Sequence, residues 1–193
     1  MSTLPAVDGL LADMAEQLRA HLSARQISDP AFVGIHTGGV WVAEALHSKV
    51  APEAPMGTLD IAFYRDDFEQ HGLPQRVRPS ELPFTVDDRH IILVDTCGGN
   101  DKNRPDRARY HMNRWPYLEN LSASGVLPED VDFVLCTHLH VDHVGWNTRL
   151  LDGRWTPTFP NARYLFGRLE WEFWQARFKD PGSIESHHYE DSI

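Results

Sequence analysis

Near the start of the chain, Leu10, Leu11, Met14, Leu18 and Leu22 recur at three- and four-residue steps, with Asp13, Glu16, Gln17 and Arg19 between them. That period predicts an amphipathic helix over residues 7–25, with Asp8 as its N-cap and Asp29-Pro30 as the break after it. The continuous apolar run Phe32-Val33-Gly34-Ile35 reads as a buried strand. It leads into His36-Thr37-Gly38-Gly39 and a second helix from Val40 to Lys49. Leu59, Ile61 and Phe63 alternate with Asp60 and Ala62, which predicts a strand over residues 57–64. Residues 65–89 are polar, carry Pro74, Pro79 and Pro83, and read as a long loop or hairpin, a length that usually has a function. His90-Ile91-Ile92-Leu93-Val94-Asp95 is a third buried strand.

Beyond Asp95 the pattern changes. Residues 100–114 read as loop, and their basic residues (Lys102, Arg104, Arg107, Arg109 and Arg114) as a solvated face. Tyr110 to Ser124 is expected to be helical, with Trp115, Leu118 and Leu121 on one side, Pro116 in the first turn and Gly125 ending it. A strand is expected over 131–136, a Pro- and Gly-rich turn over 152–160 and a short strand over 162–166. A helix is predicted from Leu169 to Phe178, with Trp171, Trp174 and Phe178 as core, and a loose polar end over 179–193.

A length of 193 residues suits one ordinary domain or two very small ones, and a 41% hydrophobic fraction is enough for a packed core. The net charge of −10 disfavours nonspecific binding to nucleic acid or to an anionic membrane. No apolar run approaches the ~20 residues of a membrane span, and the N-terminus lacks the basic start and apolar centre of a signal peptide. With two widely separated cysteines, Cys97 and Cys136, the expectation is a cytoplasmic protein with reduced thiols.

The candidate chemistry concentrates in Thr137-His138-Leu139-His140-Val141-Asp142-His143, directly after the predicted strand 131–136. Imidazole nitrogen and carboxylate oxygen are ligands that zinc-like ions prefer, and ligand sites in α/β sheets lie outside the carboxyl ends of strands. His138 and His140 would point the same way from an extended segment, with Asp142 and His143 in the turn beyond. A second, weaker candidate is the strand–turn–helix at Thr37-Gly38-Gly39, a geometry that presents backbone N–H groups to phosphate.

Two family resemblances cover the chain. Phe32 to Glu44, Leu59 to Asp67, Arg78 to Phe84 and Ile92 to Asp95 resemble the pyrimidine operon regulator/uracil phosphoribosyltransferase (PyrR) family. This implies a phosphoribosyltransferase-type parallel sheet, Thr37, Gly38 and Gly39 facing pyrophosphate, and residues 65–89 as a flap. The likeness stops at Asp95: Thr96-Cys97-Gly98-Gly99 stands where the family has a second acidic residue and then a phosphate-cradling segment.

From Val94 onward the chain resembles the metallo-β-lactamase-fold (αββα) hydrolases, in the branch with lactonases and organophosphate hydrolases. Asn100-Asp101-Lys102, Asp130 to Thr137, the histidine motif, Gly145-Trp146-Asn147 and Phe159 to Tyr164 carry it. The resemblance implies one or two zinc ions, His138 and His140 on the first, and Asp142 and His143 on the second. It also implies a metal-bridging hydroxide attacking a carbonyl or phosphoryl centre. Asp142 would have a catalytic role, orienting the nucleophile or protonating the leaving group. The family's further ligands lie beyond the region matched, and His187, His188, Glu190 and Asp191 are expected not to replace them.

The expected fold class is therefore α/β, a partial phosphoribosyltransferase-type parallel sheet over 1–95 spliced to a partial metallo-β-lactamase fold over 96–193. The expected function is an incomplete, weakly active or inactive zinc hydrolase. The alternatives are a uracil phosphoribosyltransferase or pyrimidine-responsive RNA-binding regulator, and a non-catalytic metal binder. Expected partners are a small-molecule substrate, with neither membrane nor nucleic acid, and a second copy of the chain through uncovered apolar surface.

Overall fold

The computed structural model describes residues 6–36, 38–60, 80–179 and 187–193. A five-stranded parallel sheet runs through both sequence halves in the order β2-β1-β3-β4-β7. Its strands are β1 (Pro30–Ile35), β2 (Met56–Leu59), β3 (His90–Val94), β4 (Val131–Leu135) and β7 (Arg163–Leu165). β3 pairs with β1 on one side, Phe32 opposite Ile92, and with β4 on the other, Leu93 opposite Val134. The junction between the two resemblances thus falls at the end of the central strand.

β1 is buried along its length, and β3 at every residue but His90. Strands covered on both faces need continuous rather than alternating apolar runs, as both sequences have. On one face lie α1 (Val7–Ala24) and α2 (Gly38–Val50). Their Ala15, Leu18, Leu22, Ala43 and Leu46 pack with Phe32, Ile92 and Val94, and with Phe133 and Leu135 of β4. The other face takes Tyr117 and Leu121 of α3 (Tyr117–Ala123), with Trp146, Phe159 and Trp174, against Val33, Ile35, Ile91, Leu93 and Val134. The first half therefore supplies the helices over one face, and the second half supplies most of the cover over the other. Among the described residues, no helix is long and apolar enough to cross a membrane.

Several sequence expectations are corrected. Ala6, not Asp8, is the N-cap of α1, and Asp8 lies in the first turn. α3 starts at Tyr117, not Tyr110, and Pro116 caps it rather than lying within its first turn. The Asn100 side chain both donates to Trp115 O (2.8 Å) and accepts from Trp115 N (2.7 Å), holding that backbone out of the helix. A residue before proline also avoids the α region. The Pro- and Gly-rich turn expected over 152–160 instead contains the turn and second strand of a hairpin, β5 (Thr148–Leu151) with β6 (Arg154–Pro157). Asp152-Gly153 joins the two strands with φ of 49° and 75°, the positive values that a tight primed turn requires. β2 ends at Leu59, with Asp60 outside the strand; residues 61–64 of its predicted extent, and residues 65–79 of the predicted flap, lie outside the described residues.

The basic loop is not uniformly solvated. Lys102 and Arg104 are buried, and the Arg104 guanidinium donates from both terminal nitrogens to the Asp191 carboxylate (2.7 and 2.5 Å). Lys102 Nζ donates to Thr148 Oγ1 (2.7 Å) and lies 3.7 Å from the centre of the Trp155 ring. Burial lowers the Lys102 pKa to about 7, against the pull of Asp191. Lys102 Nζ also donates to the main-chain carbonyl of Asp191, so two buried basic side chains anchor α6 (His187–Ser192), where a loose end is expected from the sequence. In α5 (Arg168–Phe178) only Trp174 of the three aromatics read as core is buried, while Phe178 is 37% exposed and stacks on Tyr189.

If the halves share one cooperative core, damage in β4 will be felt in α1. Phe133→Ala should cost about 3–5 kcal/mol and speed amide exchange in α1 and α2 as much as in β4. Faster exchange confined to residues beyond 95 would mean that the two halves fold independently.

Candidate metal centre

At the carboxyl end of the sheet, the residues after β3 and β4 interlock. Asp95 N donates to Leu135 O (2.9 Å), Thr96 N to His143 O (2.8 Å) and Gly145 N to Cys97 O (2.7 Å). Thr96 Oγ1 donates within this junction too, lying 3.1 Å from His143 O and 2.9 Å from Asn147 Oδ1. Gly145 is required here, because a Cβ on it would fall 1.9 Å from the carbonyl carbon of Gly98. His140 then caps the single turn α4 (Val141–Val144), which carries Asp142 and His143.

Asp95 is the hub of this arrangement. It is buried and holds a positive φ of 66°. Its Oδ1 accepts from Thr137 N (2.8 Å), and Thr137 Oγ1 lies 3.0 Å from both carboxylate oxygens. Its Oδ2 accepts from His143 Nδ1 (2.8 Å). A threonine hydroxyl has one hydrogen. If Thr137 gives it to Asp95, the contact between Thr137 Oγ1 and His138 Nδ1 (3.0 Å) must be donated by the ring. In that arrangement one carboxylate sets the proton of both His138 and His143 on Nδ1, and in the neutral rings both Nε2 atoms carry the electron pair. A carboxylate behind a histidine is the support that metal-ligating imidazoles commonly have.

The four predicted ligands lie together at this edge. With its proton on Nδ1, His138 accepts at Nε2 from His140 Nδ1 (3.1 Å), a separation near the roughly 3.3 Å between two nitrogens on one tetrahedral zinc. The His138 and His143 rings are 3.9 Å apart, and His143 Nε2 is 3.7 Å from Asp142 Oδ2. His140 and Asp142 are exposed, whereas His138 and His143 are half-buried. Among the described residues, no group of three or more His, Cys, Asp or Glu side chains is arranged to hold an ion. The donor chemistry fits zinc. The side chains stand as adjoining pairs rather than as a closed cage.

The electrostatics of the two half-buried histidines diverge. Burial lowers the His138 pKa, helped by His143 and His140 and opposed by the Asp95 and Asp142 charges. Burial also presses on His143, but the hydrogen bond and charge of Asp95, with Asp142, outweigh it and raise its pKa. His188 is buried against Trp174, with ring centres 4.4 Å apart, and burial with Arg104 nearby lowers its pKa to about 4.

The candidate phosphate turn meets the same edge. Gly39 lies so close to β3 that a Cβ would fall 2.5 Å from Val94 O and 3.3 Å from Asp95 Oδ2. A Cβ on Gly38 would fall 3.6 Å from His143 Cε1. Thr37 lies outside the described residues. The candidate set read from the sequence omitted Asp95 and Thr137. The signal for Asp95 was available: a carboxylate closing the strand on which both resemblances converge.

The profile of the metallo-beta-lactamase superfamily matches residues 84–192, more than half of the chain. The chain belongs to that superfamily. The phosphoribosyl transferase domain profile matches residues 3–97, so the two overlap over 84–97, the stretch that holds β3 and Asp95. Bifunctional protein PyrR of Pseudomonas entomophila is 55% identical over 93 residues, 48% of this chain and 54% of that protein. The chain thus spans about half the length of the curated relatives it matches. A probable metal-dependent hydrolase from Staphylococcus aureus is 23% identical, covering 52% of this chain and 35% of its own, with a TM-score of 0.42. Purine phosphoribosyltransferase from Pyrococcus horikoshii is 18% identical, covering 86% and 84%, with a TM-score of 0.43. One α/β chain thus carries a metallo-beta-lactamase superfamily match and, over its first half, a likeness to part of the phosphoribosyl transferase domain.

The Asp95–His143 pair yields a pH test on metal-free protein. A raised folded-state pKa contributes stability that is complete below the unfolded value, roughly 6.5, and is lost as pH rises through the folded value. Asp95→Asn should lower the His143 titration midpoint in an NMR titration and flatten this dependence of stability on pH. An unchanged midpoint would show that Asp95 does not govern His143.

Proposed function

We propose that this chain is a weak zinc-dependent hydrolase of the metallo-β-lactamase type, with His138, His140, Asp142 and His143 as its metal ligands. The observation behind this reading is the Asp95 carboxylate, which holds two imidazoles with Nε2 turned away from their supports. Bound zinc would supply Lewis acidity toward negative charge growing on a carbonyl or phosphoryl oxygen. Asp142, exposed at the rim, is the chain's own candidate to orient a nucleophile or protonate a leaving group. The ligands stand in pairs, so binding requires side-chain adjustment, and turnover is expected to be slow. The reading carries with it a small-molecule substrate and a cytoplasmic setting. Self-association has a candidate surface in Leu169 and Phe173, which are 70% and 51% exposed on α5.

Metal analysis and a screen of esters, lactones and phosphotriesters test this reading. The wild type should retain zinc through gel filtration and show slow hydrolysis that chelators abolish. His140→Ala should weaken binding by at least the roughly 10–100-fold that loss of an outer-shell partner costs. A wild type that retains no zinc would sink the proposal.

A second reading, phosphoribosyl transfer to uracil or pyrimidine-responsive regulation, is favoured by the 55% identity over 93 residues. Against it, Asp95 is buried and already accepts from Thr137 N and Oγ1 and from His143 Nδ1, which leaves little of the carboxylate for ribose hydroxyls. Uracil with phosphoribosyl pyrophosphate should therefore release no pyrophosphate. Uracil-dependent release would restore this reading over the first.

A further inference from the structure

Between His138 and His140 lies Leu139, whose side chain is fully buried. Its backbone N–H does not enter the sheet ladder or a helix; it donates instead to Glu170 Oε2 (3.1 Å), a residue of α5. The same oxygen accepts from Trp174 Nε1 (3.3 Å), one helical turn further on. The Trp174 ring then meets the His140 ring edge-on, with centres 5.9 Å apart. A residue whose partners are both donors fixes two things together: the backbone that carries His138 and His140, and the indole against which His140 rests.

Resting on the zinc reading above, we propose that Glu170 is a positioning residue for the His138–His140 pair. It does not touch the ion. It sets the distance between the two imidazoles by tethering the peptide between them and by orienting Trp174 behind His140. Asp95 supports His138 and His143 from the strand side; Glu170 supports the pair from the helix side. The two carboxylates approach the loop through different atoms, Thr137 and His143 for one, Leu139 and Trp174 for the other. Losing Glu170 would leave the Asp95 contacts intact and release only the backbone between the ligands.

Glu170→Gln keeps an acceptor oxygen at the same reach, whereas Glu170→Met keeps length and helix preference but removes the acceptor. Zinc affinity by chelator competition, and the unfolding midpoint of the metal-free protein, are measured for both variants and the wild type. Glu170→Met should bind zinc about 10–100-fold more weakly, while Glu170→Gln should stay near the wild type and the two midpoints should agree. Equal affinity in the Met and wild-type proteins would overturn the role, as would equal weakening in Met and Gln. A wild type without measurable zinc binding would fail the metal reading itself and remove this role with it, an outcome distinct from a binding wild type with an unaffected Met variant. Should Glu170→Met not fold, hydrogen exchange on the wild type decides. A protected Leu139 amide supports the tether, and one exchanging at the rate of an open loop overturns it.

Discussion

Asp95 closes the central strand with a backbone φ of 66°, a conformation that costs a non-glycine residue about 1–3 kcal/mol. What offsets that cost is a carboxylate, removed from water, that accepts from a main-chain N–H, a hydroxyl and an imidazole of the loop after β4. A buried carboxylate left unpaired would be far more expensive than the strain, so the loop cannot leave without penalty. Asp95 thereby converts a flexible histidine-rich sequence into a fixed one. It also explains why Gly39 must lack a side chain, since α2 begins where the carboxylate and Val94 O already sit.

The same strand reconciles two sequence halves that resemble different families. In an all-parallel sheet every interior strand needs cover on both faces. Phosphoribosyltransferase-like helices α1 and α2 cover one face, and α3, Trp146, Phe159 and Trp174 from the metallo-β-lactamase-like half cover most of the other. Ile92 and Val94 point into the first core and Ile91 and Leu93 into the second, so β3 belongs to both at once. The overlap of the two family profiles on this strand has a physical counterpart in that double duty.

Much of this was legible in local patterns. Continuous apolar runs locate β1, β3 and β4, and helical spacing locates α1; the candidate site stands out as three imidazoles and a carboxylate in one short stretch. What escaped depended on partners distant in sequence. Lys102 and Arg104 looked solvated because their carboxylate, Asp191, lies in the C-terminal helix. The helical pattern that begins at Tyr110 forms a helix only from Tyr117, because side-chain bonds from Asn100 hold the Trp115 backbone out of it. Asp95 could be placed on its strand, but its bonds to Thr137 and His143 exist only because β3 and β4 are neighbours. The hairpin at Asp152-Gly153 differs, since its turn signal is local: two residues of positive φ between short strands.

The central claim is that one carboxylate orients imidazole nitrogens for a metal ion at the carboxyl end of a sheet that both halves build. X-ray absorption at the zinc edge, on the zinc-loaded chain, tests it most directly. The account predicts nitrogen and oxygen scatterers at roughly 2.0–2.1 Å, with the outer-shell features of at least two imidazoles that disappear in a His138→Ala, His140→Ala double variant. A shell of water oxygens without imidazole features, or sulfur at about 2.3 Å, would contradict it.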